Sequence, residues 1–471
     1  MTVRLNIALL AGCLCLVTAC VKDEDEVYVP RDEISSSEAN LIPDRANRTV
    51  STVLTFKNLE AIDHLVVRKS GGDSYSINIG RQELSSPYTL TYTTQASDPE
   101  AFQLVLTARY LDGNVSKDLI LNVDNRWGFF IREVTRVARV TGRPMPGEPF
   151  PSPNNTATTW NVGGTDLGII WEMGQGTYGI FFGDTFGGDF TPNPASPGPN
   201  GGSWRSNVLG FSQDQTMEDG LSLSSMVTDQ GGNAREIIHG GKDQSGNGDW
   251  TSIPTAAVRT GGIDYVHYFN IRSWTGWVTN HSGLYKSSDN GQTWTKCEDV
   301  TFASNSPFGQ VGYFKRDGYV YMIGTQTGRE SPARLARLRE ADMETPERYE
   351  YWNGTTGQWI QGDESAATVI INDQVGELSF IYNEKHRKWL IAYFNAERYE
   401  LTLRTAEHIT GPWSQPYTLA TGSDYPQLYG SYFHPLSVTG DDLYFTMSMW
   451  LPYNVFLMKA TLADMGAFPG K

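Results

Sequence analysis

The sequence predicts an all-β protein in which a five-bladed β-propeller follows a small immunoglobulin-like β-sandwich. Three observations support this prediction. The 471 residues are enough for two or more domains, 48 glycines favour frequent turns, and 13 Trp with 23 Tyr favour short strands. Long segments with helical periodicity are hard to find. The apolar fraction of 39% supplies material for hydrophobic cores, which excludes wholesale disorder.

The charge balance excludes whole classes of partner. Asp and Glu number 53 against 37 Lys and Arg, so the formal net charge is -16. Nucleic acids and anionic membrane surfaces are bound by clustered basic side chains. We therefore expect no nucleic-acid partner and no binding to anionic membrane surfaces through basic side chains.

The N-terminus predicts a secreted lipoprotein. Residues 1–19 contain a short apolar run that is typical of a signal peptide, and it ends in Leu16-Val17-Thr18-Ala19-Cys20, which resembles a bacterial lipobox. The resemblance implies a lipid anchor on Cys20, with an ordinary signal peptide as the alternative. The run Lys22-Asp23-Glu24-Asp25-Glu26 resembles the acidic tag of Bacteroidetes surface lipoproteins, which implies an outer-membrane protein exposed at the cell surface. The alternative is a solvated tether.

Once the signal peptide is removed, Cys297 remains as the single cysteine besides Cys20. Neither a disulfide framework nor a cysteine metal site can form from it. Stability must therefore come from packed cores.

Residues 20–46 are polar and acidic and are predicted to be a flexible tether. Residues 47–127 then alternate apolar and polar positions, as in Val50-Ser51-Thr52-Val53-Leu54-Thr55-Phe56, which predicts the immunoglobulin-like sandwich. No chemical cluster is visible in it. We expect a stalk, with a glycan-binding module as the alternative.

Residues 128–471 are predicted to form the five-bladed propeller. Runs such as Tyr178-Gly179-Ile180-Phe181-Phe182 are apolar on both faces, as expected for strands of stacked blades. Ser287-Ser288-Asp289-Asn290-Gly291-Gln292-Thr293-Trp294 resembles an Asp box, a structural hairpin of propellers. The five blades are placed at the aromatic-rich segments 163–186, 204–268, 283–324, 334–394 and 399–462, with a closing strand from 133–141.

Two aspartates are the strongest candidates for chemistry. If Gly174-Gln175-Gly176 is a three-residue hairpin loop, residues whose numbers sum to 350 oppose each other, and 166 + 184 = 350. Opposed residues have Cβ atoms about 4.5–5.5 Å apart, so Asp166 and Asp184 would share one site and their pKa values would separate. The alternative is that one aspartate caps a turn while the other binds backbone amides.

Several motifs around this pair resemble one known family. Gly164-Thr165-Asp166-Leu167-Gly168, Phe182-Gly183-Asp184-Thr185-Phe186 and Trp204-Arg205-Ser206-Asn207 occur in order, followed by Gly324-Thr325 with Gly328-Arg329 and by Met449-Trp450 with Tyr453-Asn454-Val455-Phe456-Leu457. Over about residues 133–465 the chain resembles the propeller endo-D-arabinanases, glycoside hydrolase family 183. The resemblance implies that Asp166 and Asp184 are the catalytic pair. It also implies cleavage of internal α-D-arabinofuranosyl bonds, as in mycobacterial arabinogalactan and lipoarabinomannan.

A second set of residues is predicted to bind substrate. The arginines could hold sugar hydroxyls or form structural ion pairs, the tryptophans could stack on a furanose ring or pack in the core, and the histidines could reach the cleft or be structural. The set comprises Trp204, Arg205, Asn207, His267, Arg329, His434 and Trp450. Neither a cofactor nor a metal is expected, because the sequence has no HExxH helix, EF-hand loop or clustered histidines.

Two other functions compete with the endo-D-arabinanase. The first is a propeller glycosidase with another substrate; a sialidase would need an arginine triad, and an arabinanase-type relative would need a third carboxylate, for which Asp264 and Glu330 are candidates. The second is a non-catalytic surface lipoprotein that binds glycan for a polysaccharide uptake system. Only turnover separates the second from an enzyme.

Overall fold

The structure is a computed structural model that describes residues 33–43, 49–70, 75–95, 98–99, 101–125, 129–192 and 201–464. The predicted signal peptide, Cys20 and the acidic tag lie outside the described residues. Within them the predicted all-β class is confirmed. The described helices are the α-helical turn Thr156–Thr159 and the 3-10 helices Leu59–Ala61, Arg81–Glu83, Glu340–Asp342, Pro346–Arg348, Glu364–Ala366 and Pro435–Val438. Across the described ranges, no helix is both long and apolar enough to span a membrane.

Two packed sheets form the N-terminal part. Their strands are β1 Ile34–Ser36, β2 Asn40–Leu41, β3 Thr49–Phe56, β4 Ile62–Ser70, β5 Ser76–Gly80, β6 Tyr88–Thr93, β7 Ala101–Tyr110 and β8 Leu119–Asp124. One sheet has the order β1-β3-β6 and the other the order β2-β8-β7-β4-β5. Every second side chain of β3 is buried, as the alternation predicts.

The first two strands correct the predicted tether. Both β1 and β2 lie within residues 20–46, which the sequence predicts to be flexible. Ile34 and Leu41 are buried in the core between the two N-terminal sheets. These two apolar side chains, in an otherwise polar segment, are what fixes it to the sheets.

The described residues from 129 onward form five sheets, which we number I to V. Strand β9, Phe129–Arg139, comes first in sequence and belongs to sheet V. Sheet I contains β10 Leu167–Gly174, β11 Thr177–Phe182, β12 Val208–Ser212 and β13 Ser225–Met226; sheet II contains β14 Thr251–Thr260, β15 Ile263–Ser273, β16 Val278–Ser287 and β17 Thr295–Ala303. Sheet III contains β18 Gln310–Arg316, β19 Tyr319–Thr325, β20 Ala333–Arg339, β21 Glu350–Asn353, β22 Gln358–Gln361 and β23 Val369–Ile371. Sheet IV contains β24 Leu378–Asn383, β25 Lys388–Asn395, β26 Glu400–Ala406 and β27 Tyr417–Thr421; sheet V contains β28 Leu428–Phe433, β29 Asp442–Met449, β30 Asn454–Asp464 and β9.

The first strands of the five sheets are neighbours in turn. Strand β10 contacts β14, β14 contacts β18, β18 contacts β24, β24 contacts β28, and β28 contacts β10 again. Apolar clusters fill the spaces between successive sheets. The five first strands therefore surround one axis and bring their starting residues together at one end.

Strand β9 pairs antiparallel with β30, where the sequence predicts a closing strand. The predicted blade segments, in contrast, do not coincide with the sheets. Segment 283–324, for example, begins inside β16 and ends inside β19, so it takes parts of sheets II and III. Aromatic-rich strands recur within a sheet as well as between sheets, so their spacing does not mark where one sheet ends.

The Asp box has the structural role that the sequence predicts. The Asp289 carboxylate accepts the backbone N–H of Thr293 at 2.8 Å and its hydroxyl at 2.6 Å, which closes the turn between β16 and β17. The Trp294 ring packs against Phe181 of sheet I, with the two ring centroids 5.2 Å apart. The motif therefore joins sheets I and II.

Candidate active site

A cavity of about 540 Å³ lies at the end of the axis where the first strands begin. Each of the five sheets contributes side chains to its wall. The lining residues that bear on function are Asp166, Asp184, Thr255, Trp274, Trp277, Gln310, Arg329, Glu377, Phe394, Tyr399, Gln427, Tyr429, Trp450 and Tyr453. Both predicted catalytic aspartates are therefore in the same cavity.

The hairpin that carries the two aspartates differs from the predicted one at a single point. Pairs from Ile169↔Phe181 to Glu172↔Tyr178 sum to 350 as predicted, but a β-bulge at Gly168 then pairs Leu167 with Phe182. Leu167 and Gly168 both have positive φ, 68° and 87°. Direct opposition of Asp166 and Asp184 is thus wrong, because the bulge shifts the register by one residue.

The bulge places Asp166 against Gly183 instead. The Gly183 N–H donates to the Asp166 carbonyl at 3.2 Å. A Cβ atom at position 183 would lie 2.3 Å from Asp166 Oδ1, so only glycine leaves room for that carboxyl group. Asp184 follows directly, and its charge still acts on Asp166.

Asp166 lies in an environment that favours its protonated form. Burial is the largest cause and, together with the nearby charge of Asp184, raises the pKa of Asp166 to about 8. The Tyr429 hydroxyl donates to Asp166 Oδ2 at 2.9 Å and opposes part of this shift, as does the Tyr453 hydroxyl. Asp166 is therefore mainly protonated at neutral pH.

Asp184 is buried as well but is better supplied with hydrogen-bond donors. Its Oδ1 accepts the indole N–H of Trp204 and the hydroxyl of Thr251, each at 2.7 Å. Burial raises the pKa of Asp184 to about 6, while these two donors and the charge of Lys242 lower it. Asp184 is therefore mainly ionised at neutral pH, which gives the cavity one acid and one base.

A third carboxylate, Glu377, is one that the sequence reasoning missed. Arg329 donates to Glu377 Oε1 from Nη2 at 2.6 Å and from Nε at 3.1 Å, and both residues line the cavity. A signal was available: Gly376-Glu377-Leu378 places an acid just before β24, as Thr165-Asp166-Leu167 places one just before β10.

The two acids predicted as a third carboxylate are elsewhere. Asp264 is buried between sheets, where Arg259 Nη1 pairs with it at 2.6 Å and the Trp171 indole N–H donates to it at 3.0 Å. Glu330 is exposed and does not line the cavity, although its neighbour Arg329 does.

Of the predicted substrate-binding residues, Arg329 and Trp450 line the cavity. Trp450 is 39% exposed. The Trp450 ring meets Tyr429 and Tyr453 edge to face, at centroid distances of 6.2 and 5.7 Å. Both tyrosines contact Asp166, so a single layer of side chains separates the Trp450 ring from the predicted acid.

Trp204, Arg205 and Asn207 support the site from outside the cavity wall. The Trp204 indole holds Asp184 and stacks on Phe186. Arg205 donates to three backbone carbonyl groups, those of Ser203, Ala234 and Asn161, so its role is structural. The Asn207 side chain donates to two backbone carbonyl groups and accepts two backbone N–H groups. Since the polar atoms of Arg205 and Asn207 bind backbone groups, the prediction that these two residues contact substrate is not supported. Trp204 does not line the cavity, and stacking of its half-buried ring on a sugar stays a prediction.

The two predicted histidines do not reach the cavity. His267 lies in the middle of β15, where burial lowers its pKa to about 3 and its Nδ1 faces the Tyr313 hydroxyl at 3.0 Å. His434 follows β28, where burial lowers its pKa to about 4 and its Nδ1 accepts the Leu436 N–H at 3.2 Å. Both are buried structural residues, which corrects the prediction.

No group of three or more His, Cys, Asp or Glu side chains within the described ranges is arranged to hold a metal ion. The carboxyl groups of Asp166 and Asp184, one mainly protonated and one mainly ionised, can donate a proton to a bound ligand and accept one from it.

Residues 151–459 match the family model described as "Domain of unknown function (DUF4185)". This chain belongs to the DUF4185 family.

Among known proteins, the DUF4185 chain is 28% identical over 310 residues to notoamide biosynthesis cluster protein J of Aspergillus sp. (strain MF297-2). The aligned region covers 62% of the chain and 80% of that protein. It is also 28% identical over 309 residues to notoamide biosynthesis cluster protein J' of Aspergillus versicolor, covering 62% of the chain and 82% of that protein. The solved structure of an α-L-arabinofuranosidase from Podospora anserina matches with a TM-score of 0.38 and 10% identity, over 72% of this chain and 97% of that one.

Proposed function

We propose that this protein is an endo-acting glycoside hydrolase that cleaves internal α-D-arabinofuranosyl linkages of an arabinan. The observation that carries the proposal is that Asp166 and Asp184 meet in one cavity with pKa values of about 8 and about 6. A buried carboxyl pair with separated pKa values is costly for a purely structural protein, and it is what acid and base catalysis of acetal hydrolysis requires.

The two pKa values favour a division of roles. Protonated Asp166 would donate its proton to the leaving glycosidic oxygen as the C–O bond breaks. Ionised Asp184 would either take a proton from the attacking water or attack the anomeric carbon, and the separation of the carboxyl groups around a bound sugar decides between the two. The Trp204 and Thr251 hydrogen bonds keep the Asp184 carboxylate oriented for this step.

The assignment of the substrate is supported by the motif resemblance to the endo-D-arabinanases. The proposed fold names and cellular location are supported by sequence patterns. We interpret the five sheets as blades of a five-bladed propeller and the N-terminal sheets as an immunoglobulin-like sandwich. In this proposal, a lipid on Cys20 anchors the protein in the outer membrane with the cavity exposed at the cell surface. Its products would then pass to a glycan uptake system.

The deciding experiment is product sizing after incubation of the full chain with mycobacterial arabinogalactan, plant L-arabinan and sialylated glycans. We expect oligosaccharides from arabinogalactan alone, and loss of orders of magnitude in kcat for Asp166→Asn and for Asp184→Asn. Asp189→Asn is the matched control, because Asp189 is an exposed aspartate of the same loop that does not line the cavity.

Other outcomes select the alternatives. Products from another glycan alone would keep the glycosidase and change its substrate. Binding of arabinogalactan without turnover would instead favour the non-catalytic glycan-binding lipoprotein.

A further inference from the structure

We propose that Tyr399, Gln427 and Trp450 form a dedicated sugar-binding subsite next to Asp166, which takes one neutral sugar ring of the glycan. This inference rests on the proposed function for the identity of the ligand. The geometry of the three residues is independent of it.

Tyr399 is exposed but fixed in position. The residue is 42% exposed, lines the cavity, and has a backbone φ of +53°, a conformation that a tyrosine rarely adopts. Its ring lies directly on Gly422, where a Cβ atom would come within 2.2 Å of two ring carbons. Its hydroxyl accepts the backbone N–H of Gln427. The positive φ of Tyr399 and the absence of a side chain at Gly422 together fix the Tyr399 ring at the cavity wall.

Gln427 connects Tyr399 to Trp450. While its N–H binds Tyr399, its carbonyl accepts the Trp450 N–H at 2.9 Å, and its own φ is +64°. Its side-chain Oε1 is buried and has no hydrogen-bond partner among the described residues. A buried, unpaired amide oxygen costs free energy unless a ligand supplies a donor.

The three residues together match the chemistry of a sugar. Aromatic faces bind the C–H face of a sugar ring, and an unpaired carbonyl oxygen accepts a hydroxyl donor. Since Trp450 packs against Tyr429 and Tyr453, which both contact Asp166, the ring would lie beside the bond to be protonated.

The charges in the cavity favour a neutral ring. Asp166, Asp184 and Glu377 line it, and Arg329, the one arginine among its described lining residues, is already paired with Glu377. A uronic or sialic acid carboxylate would therefore meet acidic side chains without a free arginine.

The test is calorimetric titration of the full chain with neutral arabino-oligosaccharides, prepared by partial acid hydrolysis of arabinogalactan, and with sialyllactose as an anionic probe. Since an aromatic contact or a hydrogen bond is worth about 0.5–1.5 kcal/mol, we expect about two- to twelvefold weaker oligosaccharide binding for Tyr399→Ala, Trp450→Ala and Gln427→Met. Sialyllactose should not bind. Tyr382→Ala removes a tyrosine of β24 that lies in sheet IV, the sheet whose β25–β26 turn carries Tyr399, but outside the cavity, and it should bind like the wild type.

Tyr399→Phe keeps the ring and should retain affinity within twofold. Tyr399→Leu removes the flat ring but keeps an apolar side chain beside Gly422, so it should weaken binding as Tyr399→Ala does, which tests the stacking face even if Tyr399→Ala fails to fold. If the wild type cleaves arabinogalactan while Tyr399→Ala and Gln427→Met bind the oligosaccharides as tightly as it does, the subsite is overturned and the proposed enzyme activity is retained. If the wild type binds the oligosaccharides without cleaving arabinogalactan and these variants bind more weakly, the subsite is supported and the proposed activity is rejected. Binding of sialyllactose as tight as that of the neutral probe would overturn the assignment to neutral sugars.

Discussion

Replacing Asp166 by Asn should change how the stability of the protein depends on pH. In the folded protein burial raises the pKa of Asp166 from 3.8 to about 8, whereas in the unfolded chain the carboxyl group titrates normally. Between these two pH values the folded state holds a proton that the unfolded state has lost, so the free energy of unfolding falls as pH rises. Asn resembles the protonated carboxyl group in shape but does not titrate, so this loss is absent from the variant.

The size of the effect follows from the proton that only the folded state retains. Such a proton changes the free energy of unfolding by about 1.36 kcal/mol for each step of one in pH, so from pH 5 to pH 8 the wild type should lose about 4 kcal/mol relative to Asp166→Asn. The assay is urea unfolding followed by tryptophan fluorescence at each pH. Twelve of the 13 tryptophans lie at or after position 160, so the signal reports mainly on the part of the protein that contains the five sheets and not on the N-terminal pair.

Asp289→Asn is the control, because hydrogen bonds from Thr293 lower the pKa of Asp289 to about 2. Its contribution to stability is complete above pH 3.8 and is lost as pH falls through about 2, so the difference from the wild type should be flat from pH 5 to pH 8. A flat difference for Asp166→Asn over the same range would show that Asp166 titrates normally and would refute the assignment of Asp166 as the acid.

Three further predictions concern activity. On arabinogalactan, kcat/KM should be bell-shaped in pH, with limbs near 6 and 8 for ionised Asp184 and protonated Asp166 of the free enzyme, and a profile flat from pH 5 to 9 would contradict the pair. Gly183→Ala should lower kcat at least tenfold, because its Cβ would displace the Asp166 carboxyl group; Gly210→Ala, where the nearest atom is 3.5 Å away, should be near wild type, and equal rates for the two would argue against steric positioning. Glu377→Gln should move the basic limb to lower pH, because the charge of Glu377 raises the pKa of Asp166, and an unmoved limb in a folded variant would exclude this coupling.

Local sequence patterns predicted the elements that depend on local interactions. The hairpin register of β10 and β11 up to the bulge and the Asp box turn were both predicted from short segments. The bulge at Gly168 was missed, although a glycine within a strand often marks one.

The remaining site residues depend on the ring. Glu377 lies 377 − 166 = 211 positions after Asp166, and only the contacts between successive first strands bring them together. His267 and His434 each follow an aromatic strand segment, the pattern from which the sequence predicts that they reach the cavity. In strands covered on both sides, however, the pattern does not tell which face meets the cavity. Arg205 and Asn207 lie in the segment Trp204-Arg205-Ser206-Asn207, which resembles a motif of the endo-D-arabinanases. Such a resemblance alone does not distinguish a residue that contacts substrate from one that binds backbone.

The pairing of β9 with β30 has a consequence for making the protein. Arg139 pairs with Phe456, so this contact spans 456 − 139 = 317 residues, and sheet V stays incomplete until almost all of the chain has been synthesised. Until then β30's future partner presents an open edge to other chains, which favours aggregation. A recombinant fragment cut at the limits of the family match, 151–459, would lack β9 and end inside β30. A recombinant fragment that contains all five sheets should therefore begin before residue 129 and extend beyond residue 464.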